Sequence, residues 1–227
     1  MTDDAVAIDG LTFCHAGARE PALRQVTMSV APGERCLLVG ANGAGKTTLL
    51  RVVGGKHMIA RDMVTVLGRP AFHDTSLAAE VAFLGGNFPF TVDVRVGDML
   101  RERCHGAVER CERLRGILQV DPDWHMHRIS DGQRRRVQLL LGLMHPYRLL
   151  LLDEVSTDLD RIGRADLLRF LREESEQRGV ATLYATHIFD RLEEWATHLA
   201  FLRRGRLVLK RPLGQIDELA GLIDGGT

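Results

Sequence analysis

The sequence predicts an α/β fold: a parallel core sheet, an antiparallel β flank and a small helical insert. Three observations predict it. RLLLLDEV and VATLYATH are nearly continuous apolar runs, as strands buried on both faces require. The helical stretch RADLLRFLREESEQRG lies between them, which makes a β–helix–β unit. The N-terminal third instead alternates apolar and polar residues, as half-buried antiparallel strands do.

The elements follow in order. AVAIDGLTF and ALRQVTMSV read as the first strands. The turn Ala31-Pro32-Gly33 leads into ERCLLVG, a third strand, and the helix TTLLRVVGG follows a glycine-rich turn. DMVTVLG and VAFLGG read as further strands. From about Phe88 to Trp124 the pattern turns helical and charged, with VGDMLRERC and AVERCERLRGIL both amphipathic. The arginines of 101–115 alternate with glutamates and read as a solvated face. LAFLRRGRLVLKRP closes the pattern as a hairpin turning at Arg204-Gly205. The whole of 1–227 is expected to be one domain, with 88–135 as its helical subdomain.

Bulk properties exclude several classes. The 30 basic and 30 acidic residues cancel, so no global field draws the chain to nucleic acid or anionic lipid. Direct sequence-specific nucleic-acid binding is not expected. No apolar run is long enough for an integral membrane segment, since VQLLLGLMHPYRLLLLDEV is broken by His145, Pro146 and Arg148. No secretory signal opens the sequence, and the four scattered cysteines read as reduced thiols in a cytoplasmic protein. Cys104-His105 with Cys111 lacks a C-x₂-C pair, which argues against zinc. Trp124-His-Met-His127 reads as packing and loop structure rather than a ligand box.

The strongest signal is CLLVGANGAGKTTLL. Gly40 to Thr47 fits G-x-x-x-x-G-K-[ST] between a strand and a helix. Such a loop wraps phosphate with successive backbone N–H groups at a helix N-terminus. Gly40, Asn42, Gly43, Ala44, Gly45, Lys46, Thr47 and Thr48 are therefore the nucleotide-binding candidates, with ATP as ligand. Lys46 is expected on the β- and γ-phosphates, and the Thr47 hydroxyl on Mg²⁺. Asp153 and Glu154 end the strand LLLLDEV at the edge where parallel sheets hold ligands. Asp153 is the expected Mg²⁺ partner and Glu154 the general base that polarises water. Alternation along the strand is expected to point the two acids to opposite faces.

Taken together, the order of phosphate loop, helical insert, ISDGQ, LLLLDE, STDLD and ATH resembles the ATP-binding cassette (ABC) ATPases over nearly the whole chain. The resemblance implies a P-loop core of that type. It implies that Ser130, Gly132 and Gln133 cap the γ-phosphate of ATP held by a partner chain. Ser156 to Asp160 resembles the family's D-loop, which brings Asp160 to the nucleotide. His187 resembles its switch histidine, and His15 stands where an aromatic residue usually faces adenine. Three positions depart from the pattern: Gly86 replaces a usual glutamine, with Asn87 as a shifted substitute, Val155 a usual proline, and Asp158 a usual alanine. These departures, with DGQRRRVQ, GKHM, AFHDT and YATHIFD, resemble the soluble stand-alone ABC ATPases of the plant I subfamily and a fungal relative associated with the Not-complex machinery.

Asp131 puts an acid where phosphate is expected nearby. Ser130 with Gln133 makes an S-x-x-Q capping box, and Asp131 in the first helical turn suits the helix dipole. Arg135, four residues on, is its expected partner, or the run Arg134–Arg136 neutralises it. Three uses of such a chain follow. The first is an ATPase closing as a head-to-tail homodimer around two Mg-ATP, in a regulatory or remodelling role within a protein complex. The second is the ATPase subunit of a transporter with a separate membrane protein, weakened by Gly86. The third is a nucleotide-binding scaffold of low turnover.

Overall fold

The computed structural model describes residues 4–86, 93–104, 107–155, 159–187 and 192–216. The chain runs β1 (Val6–Phe13), β2 (Leu23–Val30), β3 (Arg35–Val39), α1 (Lys46–Val53), β4 (Val64–Val66), β5 (Arg69–Pro70) and β6 (Val81–Leu84). It continues through α2 (Val96–Arg103), α3 (Val108–Leu118), α4 (Asp131–Leu143), β7 (Leu149–Asp153) and α5 (Arg161–Arg178). It ends with β8 (Ala181–Ala185), β9 (His198–Arg203) and β10 (Arg206–Pro212).

Two sheets form among the described residues. The antiparallel one has the order β2-β1-β4-β5. The mixed one has the order β10-β9-β3-β8-β7-β6, in which β9, β3, β8, β7 and β6 are mutually parallel neighbours. The expected β–helix–β unit is β7-α5-β8. The expected hairpin is β9-β10, and it extends the mixed sheet rather than the antiparallel flank.

The period of two explains why the central strands are apolar throughout. Leu37, Val39, Leu150, Leu152 and Tyr184 face one core with residues of α3, α4 and α5. Cys36, Leu38, Leu149, Leu151 and Leu183 face a second core with residues of α1, β1, β2 and β4. Each strand is thus a shared wall, so neither of its faces can be polar.

Three expectations are corrected here. The α5 helix begins at Arg161, three residues earlier than its apolar periodicity shows, because the Asp160 side chain accepts from the Gly163 N–H and caps it. Cys104 and Cys111 form a disulfide instead of remaining thiols, because the end of α2 and the first turn of α3 bring their Cα atoms to 6.2 Å. His105 lies outside the described residues. Finally, the arginines of 101–115 are not all on a solvated face. Arg110 makes a two-pronged ion pair with buried Glu174 of α5 and also donates to the Leu143 carbonyl. One side chain thereby ties α3 to α4 and α5.

Candidate nucleotide site

The site grows from three parallel strands that end side by side. β3 delivers the phosphate loop, β7 delivers Asp153 and Glu154, and β8 between them delivers Thr186 and His187. Ligands gather at this carboxyl edge because the loops that leave it diverge and open a crevice.

The loop is shaped by its neighbours. A Cβ on Gly40 would lie 2.2 Å from the Leu202 carbonyl oxygen, so no side chain fits there. Asn42 and Gly43 stand exposed at the crest and Ala44 is buried. Gly45 caps α1 without a side chain, leaving the first N–H groups of the helix without an intrahelical acceptor. Their partial positive charge makes the loop an anion seat. Lys46 is buried and folds back, its Nζ donating to the carbonyls of Gly40 at 2.7 Å and Ala41 at 3.3 Å. Burial holds its pKa below the ordinary value, against the opposing pull of Glu154 and Asp153. A flexible cation parked on two weak acceptors is free to exchange them for phosphate oxygens.

The two acids have different surroundings. Asp153 is buried, and burial raises its pKa, an effect opposed by a hydrogen bond from the Thr47 side chain and strengthened by the Glu154 charge. Its Oδ1 is buried with no hydrogen-bond partner. A buried carboxylate oxygen of this kind costs free energy unless something compensates it. Together with the Thr47 hydroxyl, it suits a hydrated Mg²⁺, which keeps several waters and takes few protein oxygens.

Glu154 leaves the strand in a left-handed conformation at φ 52°. This corrects the expectation from strand alternation: the acids part company because the backbone kinks, not because of the pleat. The kink places Glu154 Oε2 at 3.1 Å from the Thr186 hydroxyl and Oε1 at 2.8 Å from His187 Nδ1. A non-glycine residue at positive φ stores strain of about 1 kcal/mol or more. Behind the pair, Gly85 is also forced, since a Cβ there would lie 2.5 Å from Asp153 Cβ.

His15 reaches the same region from the end of β1. Its Nε2 lies 3.1 Å from the Thr48 hydroxyl, and its ring packs edge-on against Phe13 and His57. His57 and Phe13 were missed in the sequence. Phe13 stands two residues before His15, whereas only the tertiary fold brings His57, which follows α1, to both rings, and the stretch GKHM carries no spacing that signals it.

The Ser130 helix start is built as expected. The Ser130 hydroxyl accepts from the Gln133 N–H and the Gln133 side chain accepts from the Ser130 N–H. Asp131 is 97% exposed and pairs with Arg134 at 2.8 Å, one residue before the expected Arg135. Arg135 donates to the Gly86 carbonyl at 2.9 Å and to Gln138. That tie between α4 and the end of β6 was not foreseen either. Arg136 reaches Gln119 and Asp160. Gly132 sits in the first turn of α4. Asn87 and residues 156–158 lie outside the described residues.

Comparison with known proteins agrees with this geometry. Residues 23–157 match the ABC transporter family. The chain is 46% identical over 230 residues to ABC transporter I family member 21 of Arabidopsis thaliana, spanning 96% of this chain and 81% of that protein. It is 42% identical to member 20 of the same plant, spanning 95% of this chain and 72% of that protein. It is 38% identical to CCR4-associated factor 16 of Saccharomyces cerevisiae, spanning 90% and 77%. Among solved structures, an ATP binding subunit of an ABC transporter superposes with a TM-score of 0.81 at 22% identity, over 96% of this chain and 94% of that one. The dimeric, post-hydrolysis ATP-binding cassette MJ0796 bound to ADP and Pi superposes with a TM-score of 0.78 at 18% identity, over 92% and 98%. No helix among the described residues is long and apolar enough to cross a membrane. By sequence and by fold, the chain belongs to the ABC transporter family, as an ATP-binding cassette.

Proposed function

We propose that the chain is a Mg²⁺-dependent ATPase that works in the cytoplasm as a homodimer closing around two ATP molecules. The observation that carries this reading is the Thr186–Glu154–His187 arrangement beside the buried Asp153–Thr47 pair. Glu154 supplies a carboxylate fixed at two oxygens, which can take a proton from a water lined up on the γ-phosphate. His187 is held against that carboxylate through Nδ1, and its other ring nitrogen would serve the nucleotide. The loop N–H groups and Lys46 hold the β- and γ-phosphates as charge moves outward in the transition state. His15, beside Thr48, would lie against the adenine. Thr47 and Asp153 would hold Mg²⁺, which neutralises phosphate charge when bound.

The second half of each site comes from the other chain. Ser130, Gly132 and Gln133 form an N-terminal helix cap whose remaining N–H groups suit a γ-phosphate. Asp131 does not oppose this, because it points to solvent and is paired. Asp160 serves the nucleotide indirectly, by capping α5 and holding Arg136 of α4. The cassette dimer among the similar structures supports this arrangement. The likeness to CCR4-associated factor 16 supports a role inside a regulatory protein complex. A transporter subunit is disfavoured by Gly86, which has no side chain and whose carbonyl is occupied by Arg135. The test is Glu154→Gln. Phosphate release should fall by about 10²-fold or more, and sedimentation in Mg-ATP should show a dimer where wild type cycles back to monomer. Wild-type turnover in the variant rejects the assignment.

A further inference from the structure

We propose that Asp93, His125 and His127 form a binding site for a divalent transition metal of the zinc class, separate from the nucleotide site. The expectation of packing for Trp124 to His127 accounts for half of this segment: Met126 is fully buried and Trp124 packs on the core. It leaves the two histidines unexplained.

The chain pairs with itself here. Arg95 bridges His125 in antiparallel register, the Met126 N–H donates to the Val94 carbonyl at 3.0 Å, and the Val96 N–H donates to the Trp124 carbonyl at 2.9 Å. Directly after the bridge the chain turns tightly, the Arg128 N–H donating to the His125 carbonyl at 2.8 Å. Met126 is buried within this turn, and the partly exposed rings of His125 and His127 both lie against Asp93. Nδ1 of His125 lies 2.8 Å from Asp93 Oδ1 and Nδ1 of His127 lies 2.6 Å from the same oxygen. One ligand atom from each of the three falls within 4.8 Å of the others, the spread a single small cation can span.

The donor set selects the ion. Two imidazoles are borderline donors, and with one harder carboxylate they make a set that suits Zn²⁺ and its neighbours in the transition series. Mg²⁺ prefers an all-oxygen shell and competes poorly here. All three side chains are partly exposed, which gives the ion an entry path and room for water ligands. Without metal, one carboxylate oxygen serves two ring N–H donors. The His127 Nε2 meanwhile accepts from Arg128 Nε at 3.0 Å. Metal at Nδ1 would move that ring proton to Nε2 and turn the exposed Arg128 aside, which costs little at the surface.

The site has a structural consequence. It would join residue 93 to residue 127, three positions before Ser130. Arg134 already donates to the carbonyls of Met126 and Ile129 from inside α4. A bound ion would therefore fix the approach to the Ser130 helix start.

The full-length protein, stripped with chelator, is titrated with Zn²⁺ in excess Mg²⁺ and without nucleotide, so the outcome does not depend on the ATPase reading. His125→Gln and His127→Gln keep a hydrogen-bond donor toward Asp93 but remove the ligand. We expect one saturable equivalent in wild type and affinity at least about tenfold weaker in either variant. In wild type, Zn²⁺ should shift the His125 and His127 ring resonances and leave the other histidines in place. Absence of saturable binding, binding that survives both substitutions, or perturbation of other histidines alone overturns the proposal.

Discussion

Asp153 shows how a single residue can be costly to the fold and, in the proposed function, needed by the site. Its pKa is raised in the folded chain, so folding favours the protonated form. The sign follows from linkage: the stability this group contributes is full below the ordinary carboxylate pKa of about 4 and is lost as pH rises through the raised folded value. At neutral pH without Mg²⁺, the buried carboxylate is therefore a burden. Asp153→Asn should raise the melting temperature of the nucleotide-free protein at pH 7 by a few degrees, and the gain should vanish toward pH 4. Scanning fluorimetry across pH measures this directly. The same substitution should remove Mg²⁺-dependent turnover, so stability and activity move in opposite directions. Glu154 is different in kind: it is partly exposed, kinked at φ 52°, and held by Thr186 and His187.

At the level of elements, the α4 start separates capping from charge. The Ser130 hydroxyl satisfies the Gln133 N–H, so Ser130→Ala should cost about 1 kcal/mol in chemical denaturation. Asp131 is solvent-facing, with one exposed ion pair to Arg134. Asp131→Asn should therefore change stability by less than about 0.5 kcal/mol and leave ATP turnover unchanged within error. A marked gain in ATP affinity or turnover in Asp131→Asn, from relief of charge repulsion, would mean the acid faces the phosphate after all. The neighbouring arginines are divided among separate partners, with Arg134 on Asp131, Arg135 on the Gly86 carbonyl, and Arg136 on Gln119 and Asp160. That division is why a three-arginine run here does not make a basic patch.

The whole molecule divides one reaction between two chains in the proposed dimer, and this makes a complementation prediction. Lys46→Ala removes the loop half of a site, and Ser130→Phe blocks the cap half. Each variant alone should be inactive. Mixed, the chains form heterodimers in which one site joins an intact Lys46 to an intact Ser130, while the other combines both lesions. Turnover should return on mixing, to roughly a quarter of wild type if sites act independently and pairing is random. No recovery, in dimers that still form, would place Lys46 and Ser130 in the same chain's site.

The phosphate loop, the acidic strand end, the capping box and the parallel β–helix–β unit could all be read along the chain. Each is local: a glycine spacing, a run of apolar residues, or a side chain bonding three positions away depends on near neighbours only. Other features needed residues far apart in sequence to meet. His57 reaches His15 because α1 and β1 share one hydrophobic core, and Arg110 reaches Glu174 because α3 lies on α5. Asp93 meets His125 and His127 because the chain turns back on itself around the helical layer. The direction of Glu154 also escaped pattern reading, since a left-handed kink leaves no mark in a strand's alternation. Local chemistry named the candidate nucleotide-binding residues, and tertiary packing decided what surrounds them, because burial and long-range contact, not spacing, set which polar groups find partners.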